Sequence, residues 1–250
     1  MKKSFYRSWA LGCVIGATVL SGTAQARGVG TGVAFATPNQ ALIVNPAALV
    51  DASVISVEGI WRFDPSAPFA SVVGSASKIA LGADFRREAG QSIFQGGLAF
   101  DLDMLDIGAT IRSNNGDSVD ADTAVNINLQ SLRLSAVARG WRSGLDRLDL
   151  GLGFALPAAF FTVDFKKPFP LNDSNKLFYL DIGVVVDVSM LSLGVGFDMA
   201  HSQVGGWSNA EIHASGSYQL LPQLHLELFY RPLAYEWASS KWAAGARYTF

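Results

Sequence analysis

The stretch FYLDIGVVVDVSMLSLGVGFDM, residues 178–199, decides the fold. Apolar side chains occupy every second position of residues 178–187 and again of residues 191–199, and the positions between them are mainly Asp, Gly and Ser. A short turn at residues 188–190 separates the two runs. Two runs with a period of two, joined by a tight turn, predict an antiparallel pair of β-strands.

The same alternation recurs along most of the chain. Nine further segments show it, at residues 54–63, 78–87, 94–101, 105–112, 132–139, 148–155, 211–218, 224–231 and 241–250. A twelfth candidate, residues 69–76, follows the turn-forming sequence Asp64-Pro65-Ser66-Ala67-Pro68. We therefore predict an all-β fold.

The polar face of these segments indicates what surrounds them. A soluble β-sandwich also alternates, but its polar face meets water, whereas here the polar face is rich in Gly and Ala with charges of both signs. That composition suits a confined lumen, and alternating segments of about ten residues are typical of transmembrane β-barrels. Because lipid cannot satisfy a free sheet edge, the sheet must close. The prediction is a single closed antiparallel transmembrane β-barrel over residues 53–250.

The connections predict the strand number and topology. Residues 101–104, 140–146, 188–190 and 220–223 are expected to be short periplasmic turns, and residues 113–128, 157–176, 201–209 and 232–240 to be longer outside loops. Both termini should then be periplasmic, which requires an even number of strands. We predict about twelve strands, within a range of ten to fourteen.

The N-terminus predicts export. Lys2, Lys3 and Arg7 precede an apolar run, and Ala24 and Ala26 form an Ala-x-Ala cleavage pattern. The run is well short of the roughly 20 residues that span a bilayer, so residues 1–26 are predicted to be a cleaved signal peptide. Its removal takes three basic and no acidic residues, which changes the formal net charge from −2 to −5.

Composition excludes several classes of function. A negative net charge argues against a nucleic-acid-binding face. The one cysteine, Cys13, lies in the signal peptide, so the mature chain has neither a disulfide nor a thiol nucleophile. No Gly-rich phosphate loop precedes a helical pattern.

The C-terminus supports export to the outer membrane. The chain ends Arg247-Tyr248-Thr249-Phe250, with aromatic residues at the last and third-last positions of an alternating strand. This ending resembles the terminal strand by which bacterial outer-membrane barrels are recognised for assembly. Tyr248 and Phe250 are thus the expected assembly signal, with the barrel-assembly machinery as partner. Aromatic residues also suit the membrane interfaces.

Residues 27–52 lack strong alternation and contain Asn45-Pro46-Ala47. This segment resembles the N-terminus of the FadL/TodX-type family of outer-membrane hydrophobic-compound transporters. In that family a segment with an Asn-Pro-Ala element precedes the first strand and folds into the lumen as a plug. The resemblance implies a plug around Asn45, Pro46 and Ala47 and a small hydrophobic ligand. Typical members have about fourteen strands and long outer loops, whereas this chain is shorter.

A cluster of polar residues near the C-terminus raises the question of catalysis. Glu211 and His213 face inward on one predicted strand, and His225, Glu227 and Arg231 lie on the next. Antiparallel pairing is expected to put His213 near Glu227 and Ser215 near His225, as in a catalytic triad. Two His and two Glu residues are also a metal-ligand set. We interpret the cluster instead as a luminal hydrogen-bond and ion-pair network, because charges buried in a barrel must be paired.

Three functional hypotheses follow. The first is passive transport of a small hydrophobic solute through a plugged barrel in the bacterial outer membrane. The second is a structural or assembly barrel with a self-filled lumen, and the third is an outer-membrane hydrolase. We prefer the transport hypothesis. It predicts outer-membrane lipid as a partner, and it predicts no nucleic-acid partner, no enzymatic activity, no metal and no cofactor.

Overall fold

The computed structural model describes residues 33–52, 55–63, 66–88, 90–114, 118–168, 178–202, 205–230 and 242–250. The predicted signal peptide, the start of the N-terminal segment and Arg231 lie outside these residues. Among the described residues, no helix has the length and apolar character needed to cross a bilayer.

Fourteen antiparallel strands form one closed sheet, and a two-residue strand, β12, extends from it. The strands are β1 (Ser56–Phe63), β2 (Ser66–Ala76), β3 (Ile79–Glu88), β4 (Gln91–Asp101), β5 (Leu105–Asn114), β6 (Ser118–Leu129), β7 (Leu132–Arg139), β8 (Arg147–Leu156), β9 (Ala159–Pro168), β10 (Phe178–Val188), β11 (Leu191–Ser202), β12 (Gly206–Trp207), β13 (Glu211–Leu221), β14 (Leu224–Tyr230) and β15 (Trp242–Thr249). Strand β1 pairs with both β2 and β15, which closes the ring. The predicted closed antiparallel barrel is confirmed.

The predicted count of about twelve strands is two too low, and the observed fourteen is the upper limit of the predicted range. All but the last residue of β6 and the whole of β9 lie inside residues 113–128 and 157–176, which we expected to be outside loops. Four of the five inward positions between residues 120 and 128 of β6 are Asp or Asn, which are residue types common in turns and loops. In β9, Phe160 faces inward and breaks the expected polar pattern. The outward positions of both strands are nevertheless apolar and alternate, as Val119 and Ile127 in β6 and Phe161 and Val163 in β9 show.

The two added strands also change the topology. All turns at the end of the barrel that holds the start of β1 and the end of β15 are short, for example residues 77–78, 130–131 and 157–158. We call this the turn end, and the opposite end the loop end. Residues 140–146, predicted to be a periplasmic turn, connect β7 to β8 at the loop end, so that prediction is wrong.

Large apolar side chains cover the outside of the barrel. Leu81 and Ile111 are each 60% exposed, and Phe94 is 57% exposed. Side chains of this kind are normally buried in soluble proteins, and a continuous belt of them on a closed sheet is the lipid-facing surface of a membrane barrel.

The interior holds the chain's first described residues. Residues 33–52, named here the luminal segment, contain helix α1 (Pro38–Val44) and a 3-10 helix (Pro46–Asp51). Its apolar side chains form one buried cluster with inward-facing wall residues such as Phe69, Val137 and Val185. A second 3-10 helix (Trp141–Ser143) lies between β7 and β8.

Candidate functional site

The luminal segment is folded by caps of its own and by the wall around it. Thr37 begins α1, because its side-chain oxygen accepts a hydrogen bond from Gln40 N, and Pro38 at the first helical position needs no acceptor for a backbone N–H. Every helical residue after Pro38 is buried. A helix that is buried on all sides has no solvent face, as expected for one enclosed by a barrel.

Asn45, Pro46 and Ala47 form the junction between the two short helices. The Asn45 backbone N–H donates to Ala41 O at the end of α1, and its side-chain Oδ1 accepts from Ala47 N at 3.1 Å at the start of the 3-10 helix. The Asn45 side-chain amide donates to Val33 O and to Asn126 Oδ1 on β6, both at 2.7 Å. One asparagine therefore ends a helix, begins the next and ties both to the wall.

Glycines on the wall make the space that the luminal segment fills. On β5, a Cβ added to Gly108 would lie 2.4 Å from the carbonyl carbon of Pro46, and on β4 one added to Gly97 would lie 2.5 Å from Leu42 Cδ2. The same holds on β8, where a Cβ at Gly153 would lie 2.5 Å from the Phe35 ring. Any larger residue at these positions would collide with the segment, so these glycines are positions of close approach.

Side chains of the barrel wall also hydrogen-bond the backbone carbonyl groups at the end of α1. Arg139 on β7 donates to Ile43 O at 2.6 Å and to Val44 O at 2.5 Å, and Gln95 on β4 donates to Leu42 O at 2.5 Å. The last carbonyls of a helix have no partners within it and carry partial negative charge. Helix α1 has no basic residue in its own last turn. The buried guanidinium group of Arg139 and the amide of Gln95 take this role and satisfy the last three carbonyls.

Further polar contacts hold both ends of the luminal segment. Asp51 forms a bidentate ion pair with Arg133 on β7, with N–O distances of 2.6 and 3.0 Å. At the other end, Val33 N donates to Asp164 Oδ2 on β9 at 2.7 Å. A bidentate pair fixes orientation as well as position, so the luminal segment is held in one position and one orientation in the lumen.

The polar cluster predicted near the C-terminus is divided between two places. His213 Nε2 lies 2.9 Å from Asp181 Oδ1 on β10. His225 Nδ1 lies 3.4 Å from Ser217 Oγ, and Glu227 Oε1 lies 3.8 Å from Arg247.

Glu211 is exposed at the first position of β13.

The predicted pairing of His213 with Glu227 and of Ser215 with His225 is wrong. Glu227 pairs with Ser217, and His225 with Gln219, because the ladder between β13 and β14 continues to a two-residue turn at 222–223 with an irregularity near Leu221. That turn moves each predicted partner four residues along β13. The triad-like juxtaposition expected from the sequence is therefore not formed.

Tyr248 and Phe250 lie at the turn end of β15. Tyr248 faces lipid on the outer surface, Phe250 N donates to Ile55 O at 2.9 Å, and the two rings are 4.9 Å apart. The ending is thus part of the seam where β15 meets β1.

Several site residues were not identified from the sequence. Arg139 and Arg133 appeared only as two of many inward charges, and Gln95 was one more polar position in an alternating strand. Their partners lie between 53 and 96 residues away in the chain, and no local pattern carries that information.

Comparison with solved structures identifies the same type of fold. The outer membrane protein Omp33 of Acinetobacter baumannii is 8% identical, with a TM-score of 0.55 over 78% of this chain and 96% of that one. A mutant of the Rh. blastica porin (7% identical, TM-score 0.48, 78% of this chain and 98% of that one) and the KdgM porin (10% identical, TM-score 0.44, 78% and 97%) also align. No protein-family model and no curated protein matches the sequence. The chain has the fold of bacterial outer-membrane β-barrels, and its apolar outside is the surface that lies in the outer membrane.

Proposed function

We propose that the protein is a passive outer-membrane transporter whose lumen is closed by the luminal segment. The observation that carries this proposal is the fit between the segment and the wall: glycines where the backbones approach, and Arg139 and Gln95 on the carbonyls of α1. A barrel of fourteen strands is wide enough for a lumen, because barrel diameter grows with strand number. Closing such a lumen with a separate segment makes a channel that conducts only when the segment moves.

We further propose that the solute is small and hydrophobic. The FadL/TodX-type resemblance implies such a solute, and fourteen strands is the number typical of that family. An apolar groove of about 740 Å³ lies on the barrel wall at β2 and β3, lined by Ile55, Val72 and Leu81 and by the glycines Gly82 and Gly97. Gly82 and Gly97 face Leu42 of the luminal segment on the inside. The groove therefore offers an apolar surface close to the segment.

A specific observation favours the alternative of a structural barrel with a self-filled lumen. The space beside the interior glycines is filled by the luminal segment. In addition, buried ion pairs lie on the inside of the wall, for example Arg139–Asp149 between β7 and β8 and Arg86–Asp84 within β3.

Single-channel conductance in a planar bilayer tests the proposal. The refolded protein is compared with a variant lacking residues 27–52, and heat-dependent migration on gels shows that both barrels are folded. We expect the complete protein to be closed and the deletion to conduct. If both are closed, the lumen is filled by the wall itself and the structural alternative holds. Binding of a fluorescent fatty acid or aromatic hydrocarbon, in competition with a sugar, then tests the hydrophobic solute.

A further inference from the structure

We propose that Asp181, Asp198 and His213 form a binding site for a divalent transition-metal ion on the luminal wall. The site does not depend on the proposed role in transport, although Asp164, the ladder partner of Asp181, accepts a hydrogen bond from Val33 of the luminal segment. It also differs from the set of two His and two Glu residues considered from the sequence, because His225 and Glu227 lie elsewhere on the wall.

The donor atoms of the three side chains already lie close together. One ligand atom from each is within 4.8 Å of the other two, and His213 Nε2 is 2.9 Å from Asp181 Oδ1. A zinc ion about 2.0–2.2 Å from each ligand requires donor atoms roughly 3–4 Å apart, so small side-chain rotations suffice. One imidazole and two carboxylates are a donor set that suits zinc and similar ions.

Gly196 on β11 allows His213 to reach this position. His213 pairs with Gly196 in the ladder, and Asp181 lies one strand further away, on β10. A Cβ added to Gly196 would lie 2.3 Å from both Cε1 and Nε2 of His213. The imidazole ring thus crosses β11 over a residue that has no side chain, which brings it to the two carboxylates.

The surrounding charge favours a cation. Asp164, Asp181, Asp198 and Glu211 are consecutive cross-strand partners on β9, β10, β11 and β13. Among the described inward-facing residues of these four strands, Lys166 is the one lysine or arginine. Like charges directly opposite each other are unfavourable, and Asp181 and Asp198 are only 2% and 8% exposed. Lys166 supplies one positive charge beside these four carboxylates, and a divalent ion would neutralise more of the row where it is most buried.

Three protein ligands leave at least one coordination position open. Sites that hold zinc with three protein ligands keep the fourth position for water or a solute group. The cluster lies in the half of the barrel nearer the loop end, three to four residues from the ends of β10 and β11. A metal ion there would present its open position to the lumen.

Titration of the refolded full chain with Zn²⁺ tests the site, because the chain has only three histidines to distinguish. All samples carry Cys13→Ser and a tag without histidine, so that no other strong ligand competes. We expect one ion per chain. His213→Ala and Asp198→Asn each remove a ligand, so each should lose at least the roughly 10–100-fold in affinity that the loss of an outer-shell partner causes. The matched controls His201→Ala and His225→Ala should bind like the parent protein.

A second measurement needs no substitution in the site and so does not depend on the folding of a variant. Zn²⁺ should protect His213, but not His225, from modification by diethyl pyrocarbonate, as read by peptide mass spectrometry. Equal modification of His213 with and without Zn²⁺ overturns the proposal. So does a His225→Ala variant that loses binding, or a parent protein that binds no Zn²⁺. Because the readout is metal binding, failure here is distinguishable from failure of the channel proposal.

Discussion

Replacing Arg139 by methionine should release the luminal segment while leaving the barrel closed around it. The substitution removes two charge-assisted hydrogen bonds to the carbonyls of Ile43 and Val44. Each such bond contributes about 1.5–3 kcal/mol, so docking should weaken by at least about 3 kcal/mol. The substitution also removes the ion pairs of Arg139 with Asp149 and Asp122. Each carboxylate keeps one partner in the wall, because Asp149 pairs with Arg147 at 2.8 Å and Asp122 accepts a hydrogen bond from Gly140 N at 3.0 Å.

A loss of about 3 kcal/mol corresponds to roughly a 100-fold rise in the ratio of open to closed channels. Single-channel recording in planar bilayers measures this ratio directly. The matched control is Arg112→Met, because Arg112 is also a luminal guanidinium group but pairs with Asp120 on β6 rather than with the luminal segment. An Arg139→Met channel that stays as closed as the parent, or an equal opening in Arg112→Met, would refute the reasoning.

Three further substitutions test other contacts of the fold. Gly108→Val should expel the luminal segment and open the channel, because a Cβ at this position would lie 2.4 Å from the carbonyl carbon of Pro46. The control Gly96→Val should leave conductance unchanged, because the nearest atom to a Cβ there would be 4.0 Å away. Asn45→Asp keeps the cap on the 3-10 helix but loses two amide donations, so the open-to-closed ratio in bilayer recordings should rise about tenfold or more; an unchanged ratio would contradict this role. Leu152→Arg places a charge on the lipid face near the middle of β8 and should cost about 2–4 kcal/mol in urea unfolding from lipid vesicles. A loss below about 1 kcal/mol would argue against membrane exposure of this position.

The barrel was predictable because its physical cause is local. Lipid outside and a lumen inside impose a period of two on each strand, and residues 178–199 show that period without any knowledge of their neighbours. Strand β6 was missed because its inward side chains are mainly Asp and Asn. These residues are typical of loops, and only the surrounding wall shows that they face the lumen. Register is less local still: the position of His213 depends on a turn and an irregularity ten residues away.

The candidate site was predictable only in part. Asn45-Pro46-Ala47 is visible in the sequence because capping residues act on their immediate neighbours. The glycines and the guanidinium group that receive this element are distant in the chain and look like ordinary strand residues. Their role depends on which strands enclose the segment, and that is a property of the closed barrel.

The seven-residue length of α1 has a consequence for the order of folding. An isolated helix this short is not stable in water, and the groups that cap its last carbonyls belong to β4 and β7. The luminal segment therefore becomes ordered only after the barrel to which it is attached has closed around it. Its tether is short, because the 3-10 helix ends at Asp51 and β1 starts at Ser56. Such a connection sustains a local concentration in the millimolar range or above, so an expelled segment would return quickly, and a free peptide of the same sequence would compete with it only at comparable concentrations.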